Sequence, residues 1–184
     1  MLELTATLSP VPLAADAPAD VTIEILMRNT GDAPVTVFTE AAGFHDGFEE
    51  RGPRFECIGL RFPLTVWRSG VVAHGADWYA ERRRRLEPGA AATRSIAGCW
   101  IPRRFVSPDG ATSWIAFNHS AKWAQQFRGR APDLLHSKST WILFDRPGRN
   151  ELRFEYIQNE SDVDLLQLDA SLRVVGRALV FEIP

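Results

Sequence analysis

Residues 21–39 read VTIEILMRNTGDAPVTVFT, and this stretch decides the fold class. Val21, Ile23, Ile25 and Met27 alternate with Thr22, Glu24 and Arg28. Successive side chains of a strand point to opposite faces, so the alternation predicts one apolar and one wet face. Asn29-Thr30-Gly31-Asp32 follows as a tight turn, because Asn and Gly tolerate positive φ. Residues 34–39 then read as the return strand of a hairpin.

The same pattern extends in both directions. Leu2, Leu4, Ala6 and Leu8 alternate with Glu3, Thr5 and Thr7, before a connection holding Pro10, Pro12 and Pro18. Residues 40–54 form a glycine-rich loop, and 55–62 and 64–68 read as strands broken by Pro63. Turns are expected at Ser69-Gly70, at Leu86-Glu87-Pro88-Gly89 and at Ser107-Pro108-Asp109-Gly110. Further strands are expected over 92–101, 112–117, 139–144 and 151–157, with a last one within 172–183. An irregular strand region covers 71–80.

Strands every ten to fifteen residues or so, with turn chemistry between them, predict an all-β, antiparallel sandwich. The expected core holds Leu4, Ile23, Ile25, Val35, Val37, Phe154 and Val180. The 184 residues are read as a single domain, 1–184, with a longer, partly helical loop insertion at about 118–138.

Composition narrows the function classes. Hydrophobic residues make up 45% and charged residues 24%, which is ordinary globular usage. A net charge of −2 gives no basic excess, so no nucleic-acid partner is expected. No signal-like start and no run of ~20 apolar residues is present, so no membrane association and a cytoplasmic location are expected. Cys57 and Cys99 lack metal-ligand spacing. They read as two packed thiols, as a bridge between sheets, or as one reactive thiol.

Residues 21–39 together with Leu86-Glu87-Pro88-Gly89 and residues 148–152 (GRNEL) resemble immunoglobulin-like domains that stand beside or against proteases. Such domains are the prodomain of deuterolysin-type metalloproteases and the small bacterial intracellular proteinase inhibitors. The resemblance covers about half of the chain and implies an immunoglobulin-like sandwich. It carries no functional residue, and Asn150 stands where an aromatic is usual. Residues 100–145 resemble nothing in that family.

No motif of catalysis is present: no G-x-S-x-G, no H-E-x-x-H and no phosphate-binding glycine loop. No catalytic residue, cofactor or metal is therefore assigned. His45-Asp46, in the acidic glycine-rich loop, does not converge with enough donors to hold a metal.

Two clusters suit binding. Arg82, Arg83, Arg84 and Arg85 form a run that belongs at an edge or in a loop, since four buried arginines are intolerable. The insertion carries His119, Lys122, Trp123, Arg128 and Arg130 among apolar residues, with Ser120 placed to cap a short helix. Trp123 and Phe127 are spaced to meet on one helical face. Of the six tryptophans, Trp114 and Trp141 read as core, whereas Trp78 and Trp123 read as partly exposed. The leading expectation is a non-catalytic module that binds a protein, an acidic one among the options, through loops at one end of the sandwich. A carbohydrate-binding domain using exposed tryptophan is the alternative, and a spatially assembled hydrolase a third.

Overall fold

The computed structural model describes residues 1–38, 42–44, 54–59, 66–67, 83–107, 110, 112–130, 141–158 and 171–184. For 38, 42–44, 54–59, 66–67 and 141 the description is of the backbone. The chain is mostly β, in largely antiparallel sheets, with a few single-turn helices. The strands are β1 (Leu2–Ser9), β2 (Ala19–Asn29), β3 (Val35–Phe38), β4 (Ala42–Phe44), β5 (Arg54–Gly59), β6 (Val66–Trp67), β7 (Arg83–Leu86) and β8 (Ala91–Ile101). They continue as β9 (Ser113–Phe117), β10 (Trp141–Phe144), β11 (Gly148–Gln158), β12 (Leu172–Val175) and β13 (Leu179–Ile183). Helices α1 (Arg103–Val106) and α2 (Ala121–Ala124) flank β9 in sequence, and a 3-10 turn, Gln125–Phe127, continues α2.

Six strands form one sheet in the order β1-β2-β8-β9-β10-β6. A second sheet runs β12-β11-β5-β4, with β13 also on β11. Its β4–β5 pair is parallel. The β3–β7 pair is a separate ribbon. One apolar core draws on both larger sheets and on the ribbon. Leu4, Ile23, Ile25, Met27, Trp100, Ile115 and Phe117 come from the first sheet, Phe154, Tyr156 and Phe181 from the second, and Val37 and Leu86 from the ribbon. The Pro-rich connection after β1 packs onto this core through Leu13. Its Ala14 carbonyl accepts a 2.7 Å hydrogen bond from the indole of buried Trp100.

The alternation in β2 places Val21, Ile23, Ile25 and Met27 in the interior, as expected from the sequence, whereas Asn29, read there as the start of a turn, is the buried last residue of the strand. The hairpin expected from β2 to β3 does not form. Both edges of β2 are taken, by β1 and by β8, so the chain leaves the sheet and pairs β3 with β7 instead. Buried Asn29 fixes that crossing. Its side-chain amide donates to the carbonyls of Ala33 (2.8 Å) and Leu86 (2.9 Å), and its side-chain oxygen accepts from Gly31 N–H. The turn at Leu86-Glu87-Pro88-Gly89 is present, with Gly89 at φ 80° and Ala90 N–H bonded to Glu87 C=O.

The last strand also departs from the expectation. Leu172 and Val174 face the core, but beyond residue 176 the inward residues are Leu179, Phe181 and Ile183, and Val180 is exposed. Three residues, 176–178, span the register of two on β11, because Val175 pairs Glu155 and Leu179 pairs Leu152. This bulge reverses which parity faces inward. At the bulge Gly176 N–H bonds Phe154 C=O and Arg177 N–H bonds Leu4 C=O, joining β1 of the first sheet to the edge of the second. On β11, buried Glu155 accepts from Nε and from one terminal nitrogen of Arg173 on the neighbouring strand.

Candidate functional site

The six-stranded sheet is covered on both faces where β8 meets β9. On β8, Trp100 belongs to the main core, whereas Cys99 and Ile101 belong to a second cluster. On β9, Ile115 and Phe117 enter the main core, whereas Trp114 and Ala116 enter the second. Alternate residues of a strand point to opposite faces, so the second cluster lies on the outer face. Its cover is helical: Phe105 and Val106 of α1, Ala124 of α2, and half-buried Ala121, Trp123 and Phe127.

The path of this cover follows from local chemistry. Asn118 ends β9 at φ 62°, a left-handed conformation that Asn accepts more readily than most residues. Its N–H bonds Ala97 C=O. Ser120 then caps α2, its hydroxyl accepting from Trp123 N–H at 3.3 Å. A carboxylate oxygen of Asp20 on β2 accepts from Ala121 N–H at 2.6 Å, so the sheet itself holds the start of the helix. At the other end Gly129, at φ 75°, donates its N–H to Phe105 C=O at 3.0 Å. The segment is thus fastened to β2 at its start and to α1 at its end.

The side chains form a ladder. The His119 imidazole lies flat on one face of the Trp123 indole, with ring centres 3.7 Å apart and planes 9° apart. Phe127 meets Trp123 edge-on at 4.7 Å. The Arg130 guanidinium lies 5.9 Å from the Phe127 ring centre, and its Nε donates to Gln126 C=O. Burial pushes the His119 pKa below its ordinary value. Lys122, Gln125, Gln126, Arg128 and Arg130 are exposed around the ladder.

The sequence candidates therefore divide. His119, Lys122, Trp123, Arg128 and Arg130 come together on the outer face. Arg83, Arg84 and Arg85 lie on β7, whose ribbon packs its Val37 and Leu86 into the main core on the other side of the sheet. The two cationic groups are consequently separate surfaces. On β7, as an unbroken arginine run requires, Arg84 and Arg85 are exposed, and Arg85 pairs with Glu87 at 3.0 Å. Trp78, Arg82, His45-Asp46 and residues 131–138 lie outside the described residues, as do the side chains of Cys57 and Trp141.

Cys99 is a free, buried thiol beneath the helical cover. Burial, with Asp20 adding to it, pushes its pKa up to about 12, so it is poorly suited to act as a thiolate nucleophile. Among the described residues no three His, Cys, Asp or Glu side chains converge as metal ligands. No described helix is long and apolar enough to cross a membrane.

Arg103 and Arg104 were not among the sequence candidates, yet α1 sets them beside the cover. The available signal was charge density: residues 100–130 hold five cations (Arg103, Arg104, Lys122, Arg128, Arg130) and one carboxylate, Asp109. No protein-family model matches this chain, and no curated protein is significantly similar to it.

Proposed function

We propose that the chain is a non-catalytic binding module on an immunoglobulin-like β-sandwich, and that it engages a protein partner through residues 119–130. The fold part of this reading is supported by one core shared between two sheets and by the chain crossing between sheets after β2. The binding part rests on one observation. Half-buried Trp123 and Phe127 stand in one aromatic ladder and are ringed by exposed cations and amides. Rigid aromatic anchors within a polar rim are the anatomy of a protein interface. A sugar platform is the weaker reading of Trp123, because His119 already covers one of its ring faces.

A photo-crosslinking side chain at Gln126 tests the proposal, with one at exposed Thr7 on β1 as the control. A discrete protein adduct should form from position 126 in cell lysate, be absent from position 7, and weaken when Lys122 and Gln125 are replaced by Ala. No adduct at 126, or the same adduct from both positions, overturns it.

A further inference from the structure

We infer that the partner segment recognised here is an acidic polypeptide stretch, and that Arg103 and Arg104 of α1 share in its recognition with Arg128, Arg130 and Lys122. This deepens the reading above and rests on it. The hydrogen bond from Gly129 N–H to Phe105 C=O joins the two cationic elements. Arg128 and Arg130 flank Gly129, and Arg103 and Arg104 precede Phe105 by two positions and one. Both elements pack on the same outer cluster, so the cations rise from one side of the sheet.

The charge there is poorly compensated. Among the described residues Arg104 reaches one carboxylate, exposed Asp16, at a loose 3.8 Å. Arg103, Lys122, Arg128 and Arg130 form no ion pair among them. Asp20, the carboxylate on β2 below α2, accepts the backbone N–H of Ala121. This local excess of positive charge sits in a chain of net charge −2. The Arg130 guanidinium is oriented by Gln126 C=O and Phe127, with Nε engaged. Its terminal nitrogens are left for a carboxylate, which a guanidinium fork grips in two parallel hydrogen bonds. Exposed Gln125 and Gln126 add donors and acceptors suited to a peptide backbone.

A peptide is favoured over a nucleic acid by the aromatic ladder. Single strands bind by stacking bases on open ring faces. Here the imidazole of His119 fills one face of Trp123, and Phe127 sets its ring edge-on to the indole.

The experiment measures fluorescence anisotropy of labelled deca-glutamate with the whole chain. Decathymidylate and a Gly-Ser decapeptide serve as comparison probes. Deca-glutamate should bind, the Gly-Ser peptide should not, and affinity should fall severalfold from 50 to 300 mM NaCl as screening grows. Arg104→Glu/Arg128→Glu should weaken binding at least tenfold. Arg84→Glu/Arg85→Glu, an equal charge change on β7, should leave it within twofold. Near-UV circular dichroism checks folding, and Arg104→Gln/Arg128→Gln replaces the reversal variant if that one unfolds. Absent deca-glutamate binding, an equal loss in the β7 variant, or equal or tighter decathymidylate binding overturns the inference. A position-126 adduct that survives such a result would leave the protein-binding reading standing with a different partner chemistry.

Discussion

Asp20 and Ala121 lie 101 positions apart in sequence, and the Ala121 backbone N–H donates to the Asp20 carboxylate at 2.6 Å. The bond places an anion at the start of α2 and fastens the helical cover to β2 above Cys99, which is the register partner of Asp20. Replacing Asp20 by Ala should cost about 1 kcal/mol of stability, the usual scale for a lost helix-start acceptor. It should also speed Cys99 modification by a thiol reagent, because the cover loosens and a charge that raises the thiol pKa is gone. A Cys57→Ser background isolates the one thiol. Equal modification rates with and without Asp20 would show that the bond does not hold the cover.

Trp123 and Phe127 should act as outer-cluster residues, not as part of the main core. Each is half-buried against Trp114 and its neighbours, so truncation removes less burial than at a full core position. Phe127→Ala should destabilise by about 2 kcal/mol, below the ~3–5 kcal/mol expected for Phe154→Ala in the main core. Urea unfolding of the two variants gives the comparison. Equal losses would mean that the cover and the main core are one unit.

The His119 stack should make stability depend on pH in one direction. Its folded pKa lies below the ordinary histidine value because burial disfavours the imidazolium. The unfolded chain therefore takes up the proton first as pH falls, and the neutral ring's contribution, complete above about 6.5, is lost toward the lower folded value. The melting temperature should drop between pH 7.5 and 5.5 by more in the native chain than in His119→Phe, which keeps a stacking ring without the titration. An identical drop in both would assign the pH dependence elsewhere.

Gly176 should be far less replaceable than the ion pair beside it. A Cβ at 176 would stand 2.9 Å from the Phe154 carbonyl oxygen and 3.2 Å from that of Leu4. Both are backbone atoms of different sheets, so neither yields easily, and Gly176→Ala should cost about 1–3 kcal/mol. Arg177→Ala breaks a 2.6 Å pair with Glu3, but the arginine is 79% exposed. Such pairs contribute about 0–1 kcal/mol. Thermal melts of the two variants give the order, and the reverse order would mean that the bulge accommodates a side chain.

The sequence by itself determined the β class, the strands with clean alternation and the turns whose chemistry is local. In β2 an unbroken period of two set the inward face without help from any other part of the chain. Pro88-Gly89 required a turn through its own φ preferences, and Ser120 with Trp123 and Phe127 announced a capped helical turn. Only the tertiary structure decided partners and faces. Whether β3 returned along β2 depended on β1 and β8 already filling both of its edges, which no local signal carries. Val180, expected in the core, is exposed because the bulge at residues 176–178 reverses parity, with Gly176 and Arg177 bonded to Phe154 and Leu4 across two sheets. The packing of β7 and of α2 sets Arg83, Arg84 and Arg85 apart from the helical cation cluster, a separation that no local signal carries. Arg103 and Arg104 joined the site for the same kind of reason. Periodicity and capping are written in neighbouring residues, whereas edge occupancy, parity across a bulge and the meeting of distant charges exist only once the sheets have packed.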